Sequence, residues 1–236
     1  MAKLIGIIGE SGSGKTTSMR NLPPETTYYI DADKKGLSWK GWKKDYEKGR
    51  NYLRTDNAQA ILYTMYCLNA DESMRAAWSK ANQREYKPLS DDQKSRWLSY
   101  NVLVIDTLNA IMIGEEMRRS REKGYDKWID IASYIYSIVD YALTMRDDLT
   151  VITVCHSETI QDDVGNRFTR IKTNGRKLEK IVLESKMPTV LLASGQGGDY
   201  QLLTRAPDST CKAPMGALEA SVPNDITEVL KALEDY

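Results

Sequence analysis

Residues 9–16, Gly9-Glu10-Ser11-Gly12-Ser13-Gly14-Lys15-Thr16, read G-x-x-x-x-G-K-[ST], with Thr17 directly after them. The chemistry this spacing suits is the gripping of a phosphate chain. Glycines let a loop wrap tightly so that backbone N–H groups converge on an anion, helped by the positive end of a following helix. Lys15 then reaches the β- and γ-phosphates of a nucleotide, and Thr16 offers its hydroxyl to Mg²⁺. Ser13, Gly14 and Thr17 line the phosphates. A metal-nucleotide pair also needs a carboxylate at the end of a neighbouring strand, and Asp106, closing the run VLVID, stands in that place.

Hydrolysis needs a group that orients or deprotonates the attacking water. Asp106 is followed by Thr107, so no second acid sits beside it. Three candidates remain: Asp33 just past TYYID, Glu10 within the loop, and Glu115-Glu116 beyond Asp106. A helix starting near Thr107 would carry Glu115 about 12 Å along its axis, at about 1.5 Å per residue, far from the phosphates. Asp33 is therefore preferred. His156 follows TVITVC, where a polar side chain either senses a γ-phosphate at the carboxyl edge of a sheet or simply satisfies its own surroundings. No N-K-x-D-type stretch for reading guanine occurs, which favours ATP.

The elements that must position these residues are visible as apolar runs. Residues 3–9, 27–31, 51–55, 101–106, 150–155, 189–194 and 200–204 read as strands. Helix is predicted from Lys15 to the Pro23-Pro24 stop, from Asn57 to Leu68, over 125–148, and in a closing segment capped by Asn224 or Asp225. Residues 70–99 are polar with spaced Met and Trp, and Ser90 with Gln93 fits a capping box, which predicts a helical insertion. A polar turn is expected around 162–166. Short apolar strands alternating with long helices predict an α/β fold: a mostly parallel central sheet flanked by helices, with a β-rich C-terminal part. A length of 236 residues suits one domain, 1–236.

Lys plus Arg and Asp plus Glu number 33 each, so no net field draws the chain to nucleic acid or to a membrane. Cys67, Cys155 and Cys211 are far apart with no CxxC pairing, which argues against a disulfide scaffold, and the single histidine excludes a Cys/His zinc site. The apolar start spans only five or six residues, too few for a signal peptide or a membrane span, and a cytoplasmic protein is expected. Charge is segregated locally instead. Residues 34–50 hold seven basic residues against two acidic ones, with Trp39, Trp42 and Tyr46 interleaved, and 167–180 hold six against one. Cationic segments with aromatic platforms suit single-stranded nucleic acid; the alternative is a solvated lysine face over core tryptophans.

The order of these parts resembles the RecA-type ATPase core. GESGSGKTT is similar to that family's phosphate-binding loop, IDAD to the stretch ending in its catalytic carboxylate, here Asp33, and VLVID to its Walker B strand. TVITVCHS resembles the strand that carries its γ-phosphate sensor, here His156 where RecA has glutamine. Residues 158–175 and 114–124 correspond to its two DNA-binding loops, and the resemblance spans about residues 3–205. FTRIKTNGRKL, WKGWKKDY and TCKAPMG look like the small phage-encoded RecA-like ATPases, a group that includes recombination and single-strand annealing proteins. This implies an ATPase using ATP and Mg²⁺, with single-stranded DNA as partner through 34–50 and 158–180, no membrane, and the host cytoplasm as its location if phage-encoded. The chain begins at its first strand, without RecA's filament-building arm, so filaments are not implied while a ring or other homo-oligomer stays open. Two other readings stay open as well: a small-molecule P-loop kinase with RRSREKG as its lid, and a nucleotide-gated assembly module that hardly hydrolyses ATP.

Overall fold

Strands form here where alternate apolar residues can be covered on both sides. The structure, a computed structural model, describes residues 3–124, 126–161, 164–173, 182–195 and 198–234. The chain opens with β1 (Lys3–Gly9), β2 (Thr27–Asp31), α1 (Trp42–Asp45), β3 (Tyr52–Arg54), α2 (Ala58–Leu68), α3 (Glu72–Ala81) and α4 (Asp91–Leu98). It continues through β4 (Val102–Asp106), α5 (Leu108–Arg118), α6 (Asp126–Thr144), β5 (Thr150–Gln161) and β6 (Arg167–Ile171). It closes with β7 (Thr189–Ser194), β8 (Gln201–Leu203), β9 (Ser221–Pro223) and α7 (Ile226–Ala232).

Among the described residues the main sheet has the order β3-β2-β4-β5-β1-β7-β8-β9. The strands from β3 to β7 are parallel, and β8 and β9 are each antiparallel to the strand before them. The fold is thus α/β with a mostly parallel sheet. Leu4, Ile8, Leu103 and Ile105 join one core layer with residues of α2, α5 and α6. Ile5, Ile7, Val102 and Val104 point the other way, to Met19, Leu22, Tyr46 and Val229. Cover on both faces is why the central strands read as unbroken apolar runs.

Parallel register brings the carboxyl ends into line: Asp31 lies opposite Asp106, Asp106 opposite Val154, and Gly9 opposite His156. Because β5 runs between β1 and β4, the loop after β1 and the acid at the end of β4 face one another across a single strand. Open α/β sheets bind ligands in such a crevice. Local signals hold the helices in place. Ser90 Oγ accepts from Gln93 N at 3.3 Å while Ser90 N donates to Gln93 Oε1 at 3.0 Å, the reciprocal box that opens α4. Asp225, rather than Asn224, caps α7.

Three element expectations change. The segment after Lys15 folds as turns and one 3-10 helix, Thr17–Met19, instead of an α-helix. Pro23-Pro24 leaves too few residues to offset the cost of nucleating one. The strand starting at Thr150 passes Cys155 and runs to Gln161, because beyond His156 it leaves the main sheet and pairs antiparallel with β6. The helix expected over 125–148 ends at Thr144. The turn expected around 162–166 and the basic stretch to Lys180 lie partly outside the described residues, which omit 162–163 and 174–181.

Glu115 is buried, and its role is visible in the packing. Its Oε1 accepts from Ala58 N at 2.9 Å, at the start of α2, and pairs with Arg118 at 2.7 Å. It docks α5 onto α2. Glu115→Ala leaves the Ala58 amide without its acceptor and should cost about 1–3 kcal/mol. A lower urea midpoint with an unchanged m value would show this.

Candidate functional site

The site begins with the backbone of residues 9–17. Gly12 and Gly14 adopt φ of 81° and 90°, a region that glycine enters without steric cost. At Gly14 a Cβ would also stand 2.8 Å from Tyr200 Cδ1 and 2.9 Å from Asn224 Nδ2, so no other residue fits there. Among the described residues, the amides of 11–16 make one backbone bond within the chain, Ser13 N to Glu10 O at 3.3 Å. The rest have no backbone acceptor among the described residues, an arrangement suited to an anion. With one 3-10 turn behind it, the cradle works as a nest of amides more than as the end of a helix dipole.

Lys15 is buried, and its Nζ donates to Gly9 O at 2.8 Å and Glu10 O at 2.5 Å, which folds the ammonium back over the loop. Burial pulls its pKa down; Asp106 opposes the fall and Lys35 adds to it. Thr16 Oγ1 donates to Asp106 Oδ2 at 2.8 Å, and Tyr29 OH donates to the same oxygen at 2.7 Å. Asp106 Oδ1 is buried with no partner. Desolvation raises the pKa of Asp106, although the bonds from Tyr29 and Thr16 hold it back. A threonine hydroxyl beside an orphaned carboxylate oxygen is a donor set for a hard cation, and Mg²⁺ fits it. Among the described residues no group of three or more His, Cys, Asp or Glu gathers to cage a metal.

Asp33 lies just past β2. Its Oδ1 accepts from Thr107 Oγ1 at 3.2 Å and its Oδ2 pairs with Lys35. Asp33 N and Ala32 N donate to Asp106 O at 3.3 Å and 2.7 Å, tying the ends of β2 and β4 together. His156 N donates to Asn109 Oδ1 at 2.7 Å, Asn109 Nδ2 donates to Lys172 O at 2.7 Å, and Lys172 N donates to His156 O at 2.8 Å. Burial, with Lys15 nearby, lowers the His156 pKa and leaves a neutral imidazole at pH 7.

Lys15, Thr16, Thr17, Asp106 and His156 line one cleft of about 680 Å³, and Ser11, Gly12 and Gly14 form part of its wall. That volume suits a small-molecule site. Glu10 and Ser13 face a neighbouring cavity of about 390 Å³, which Ser157 and Thr159 also line. Motif spacing missed Arg20, Lys35, Ser38, Tyr200 and Asn224, all of which line the main cleft. Only the crowding at Gly14 marks Tyr200 and Asn224, and a linear sequence does not show crowding.

The basic segments are built differently from expectation. Trp39 and Tyr46 pack edge-on against Tyr29, and Trp42 packs against Tyr52, so the rings of 34–50 are spent on the core. Lys40, Lys43, Lys44 and Lys48 are exposed. Within 114–124, Arg118 pairs with Asp56 and Glu115, and Arg119 with Glu122 and Asp130, which ties two arginines of RRSREKG into the fold. Arg176, Lys177 and Lys180 lie outside the described residues.

Residues 2–210 match the AAA_24 family, described as an AAA domain. The chain belongs to this AAA-domain family. The AAA domain is a P-loop nucleotide-binding and ATPase module, and the glycine-rich cradle is its hallmark here. Among curated proteins no sequence matches. Among solved structures, the monomer form of the pCW3 conjugation coupling protein TcpA with ATPgS is similar over 81% of this chain and 48% of that one, at 12% identity and a TM-score of 0.38. This AAA-domain chain spans about half of that protein, and a likeness so loose carries nothing across. No described helix is long and apolar enough to cross a membrane.

Asp106→Asn should raise the melting temperature of the metal-free AAA domain, because it removes a buried charge that two hydroxyl donors offset only in part. The folded pKa lies above the ordinary 3.8, so protonation favours the fold. Metal-free wild type should therefore gain stability as pH falls through that raised pKa, a gain complete by about the unfolded value. The variant should lack this component in paired thermal melts, and should also lose magnesium-dependent stabilisation by nucleotide.

Proposed function

We propose that this protein is a Mg²⁺-dependent ATPase that couples its nucleotide state to single-stranded DNA, of the RecA-like kind that phages encode for recombination or replication. On this reading it acts in the host cytoplasm. The observation that carries the ATPase part is the junction of Thr16 with the half-partnered carboxylate of Asp106, at the mouth of the amide cradle. Loop amides and Lys15 bind the triphosphate and stabilise the charge that grows on it in the transition state. Thr16 and Asp106 hold Mg²⁺, which when bound neutralises phosphate charge. Asp33 takes the proton of the attacking water. His156, neutral, offers a hydrogen bond toward the γ-phosphate.

The position of His156 supports a coupling to DNA. Asn109 bonds both to His156 N and to Lys172 O, so a shift at the cleft is felt at the base of the β5–β6 hairpin. Phe168, 39% exposed on that hairpin, offers a ring for a base to stack on, and exposed Arg167, on the opposite face of the same strand, offers a charge for the phosphate backbone. The exposed lysines of 34–50 add phosphate contacts without rings to stack on.

Lys15→Ala should lower phosphate release by at least about 10²-fold. Phosphate release by wild type, with and without single-stranded DNA across a salt series, tests the coupling: the DNA-stimulated rate should fall steeply as salt rises. A rate indifferent to DNA but dependent on a small acceptor would identify a kinase. Tight ATP binding without phosphate release would identify an assembly module.

A further inference from the structure

The loop that leaves β2 is held more firmly than its length requires. Gly36 N donates to Asp31 Oδ2 at 2.8 Å, and Tyr52 OH donates to the same oxygen at 2.5 Å. Lys34 takes a left-handed φ of 61°, and its ammonium reaches away from the cleft to Asp56 at 2.7 Å. Lys35 turns the other way. It lines the nucleotide cleft with Lys15, Thr16, Asp106 and His156, and its ammonium pairs with Asp33 Oδ2.

This pairing bears on Asp33. Oδ1 of Asp33 accepts from Thr107 Oγ1, and that hydroxyl is itself fixed as the N-cap of α5, where it accepts from Ala110 N at 3.1 Å. Oδ2 is covered by Lys35. A carboxylate with both oxygens engaged is poorly placed to take a proton from water. The Lys35 side chain is 54% exposed, and an ion pair that open is worth only about 0–1 kcal/mol. A triphosphate in the cleft offers far more negative charge. The charges of Lys15 and Lys35 also bear on each other across the cleft, a repulsion that an anion between them relieves.

We propose that Lys35 is a second catalytic cation supplied from within the chain, which leaves Asp33 for the γ-phosphoryl oxygens of bound ATP and so uncovers Asp33 Oδ2 as the proton acceptor. The proposal rests on the ATPase reading above. In the step it serves, the water oxygen bonds to the γ-phosphorus as the bond from that phosphorus to the β–γ bridging oxygen breaks. The bridging oxygen keeps the electron pair and departs with ADP, while the water proton passes to Asp33 and then to solvent. Lys35 balances charge on the transferred group, the task that an arginine performs in many phosphoryl-transfer sites, and it does so as a flexible point charge.

The test compares Lys35→Ala and Lys35→Arg with wild type, by steady-state phosphate release, equilibrium binding of a fluorescent ATP analogue, and affinity for ADP with aluminium fluoride. Lys35→Ala should lose about 10²–10³-fold in kcat, weaken ATP-analogue affinity by much less, no more than about tenfold, and lose the extra affinity for the aluminium fluoride complex. Lys35→Arg should recover about tenfold or more of the lost rate. If Lys35→Ala keeps kcat within about threefold of an active wild type, Lys35 is not catalytic and the ATPase reading stands. A loss expressed entirely in KM and affinity, or no recovery with arginine, likewise overturns the proposal. Wild type that binds ATP and releases no phosphate would overturn both.

Discussion

The structure turns on one buried carboxylate. Asp106 ends a central strand, sits 3% exposed, and shares a single oxygen between the hydroxyls of Thr16 and Tyr29. A charge so placed is costly unless it is compensated. The compensation inside the chain is incomplete, because the other oxygen has no donor. That unpartnered oxygen suits a cation, while the other oxygen locks the phosphate loop to the sheet through Thr16. The same residue gathers the neighbouring acid, since the Asp106 carbonyl accepts the amides of Ala32 and Asp33. Loop and candidate base are therefore held by groups within one residue's reach.

Around this anchor the charges divide into those spent on the fold and those left to the cleft. Glu115, Asp56, Arg118 and Lys34 form a connected set that joins α2, α5 and the loop after β2. Arg75 serves the insertion similarly: it is buried, bonds to Glu72 at 2.5 Å, Tyr63 at 3.1 Å and the Lys87 carbonyl at 3.0 Å, and so holds the stretch between α3 and α4. Lys15 and Lys35 are left facing the cleft. Arg20 lines it too, and Asp106 is the acid among the lining residues, so a chain with no net charge keeps a locally cationic pocket.

The long β5 strand connects the pocket to the surface. Its first half is a central strand with both neighbours parallel, and its second half is one arm of a hairpin. His156 marks the change, and Asn109 clamps it by filling the hydrogen-bonding needs of both strands at that point. The second arm is tied down on its far side as well: Thr169 N donates to Asp208 O at 2.7 Å, Thr210 N to Thr169 O at 2.9 Å, and Ile171 N to Glu184 Oε1 at 2.7 Å. The cleft edge and the base of the hairpin thus belong to one hydrogen-bonded network.

What the sequence determined by itself was local. The spacing of glycines and lysine at 9–16, the acids just past one apolar run at Asp33 and closing another at Asp106, and the capping box at Ser90 each depend on residues a few positions apart, so they are legible without a fold. The α/β class follows from the same short-range periodicity. Tertiary structure decided everything that depends on partners distant in the chain. It packed Trp39 and Tyr46 edge-on against Tyr29. It set Glu115 to capping α2, and it brought Tyr200 and Asn224 against Gly14 from the far end of the sequence. It also sent Lys34 and Lys35, adjacent and identical in type, to opposite sides of one loop. A residue's type limits the interactions it is able to make, but which of them it makes is set by the groups that packing places around it.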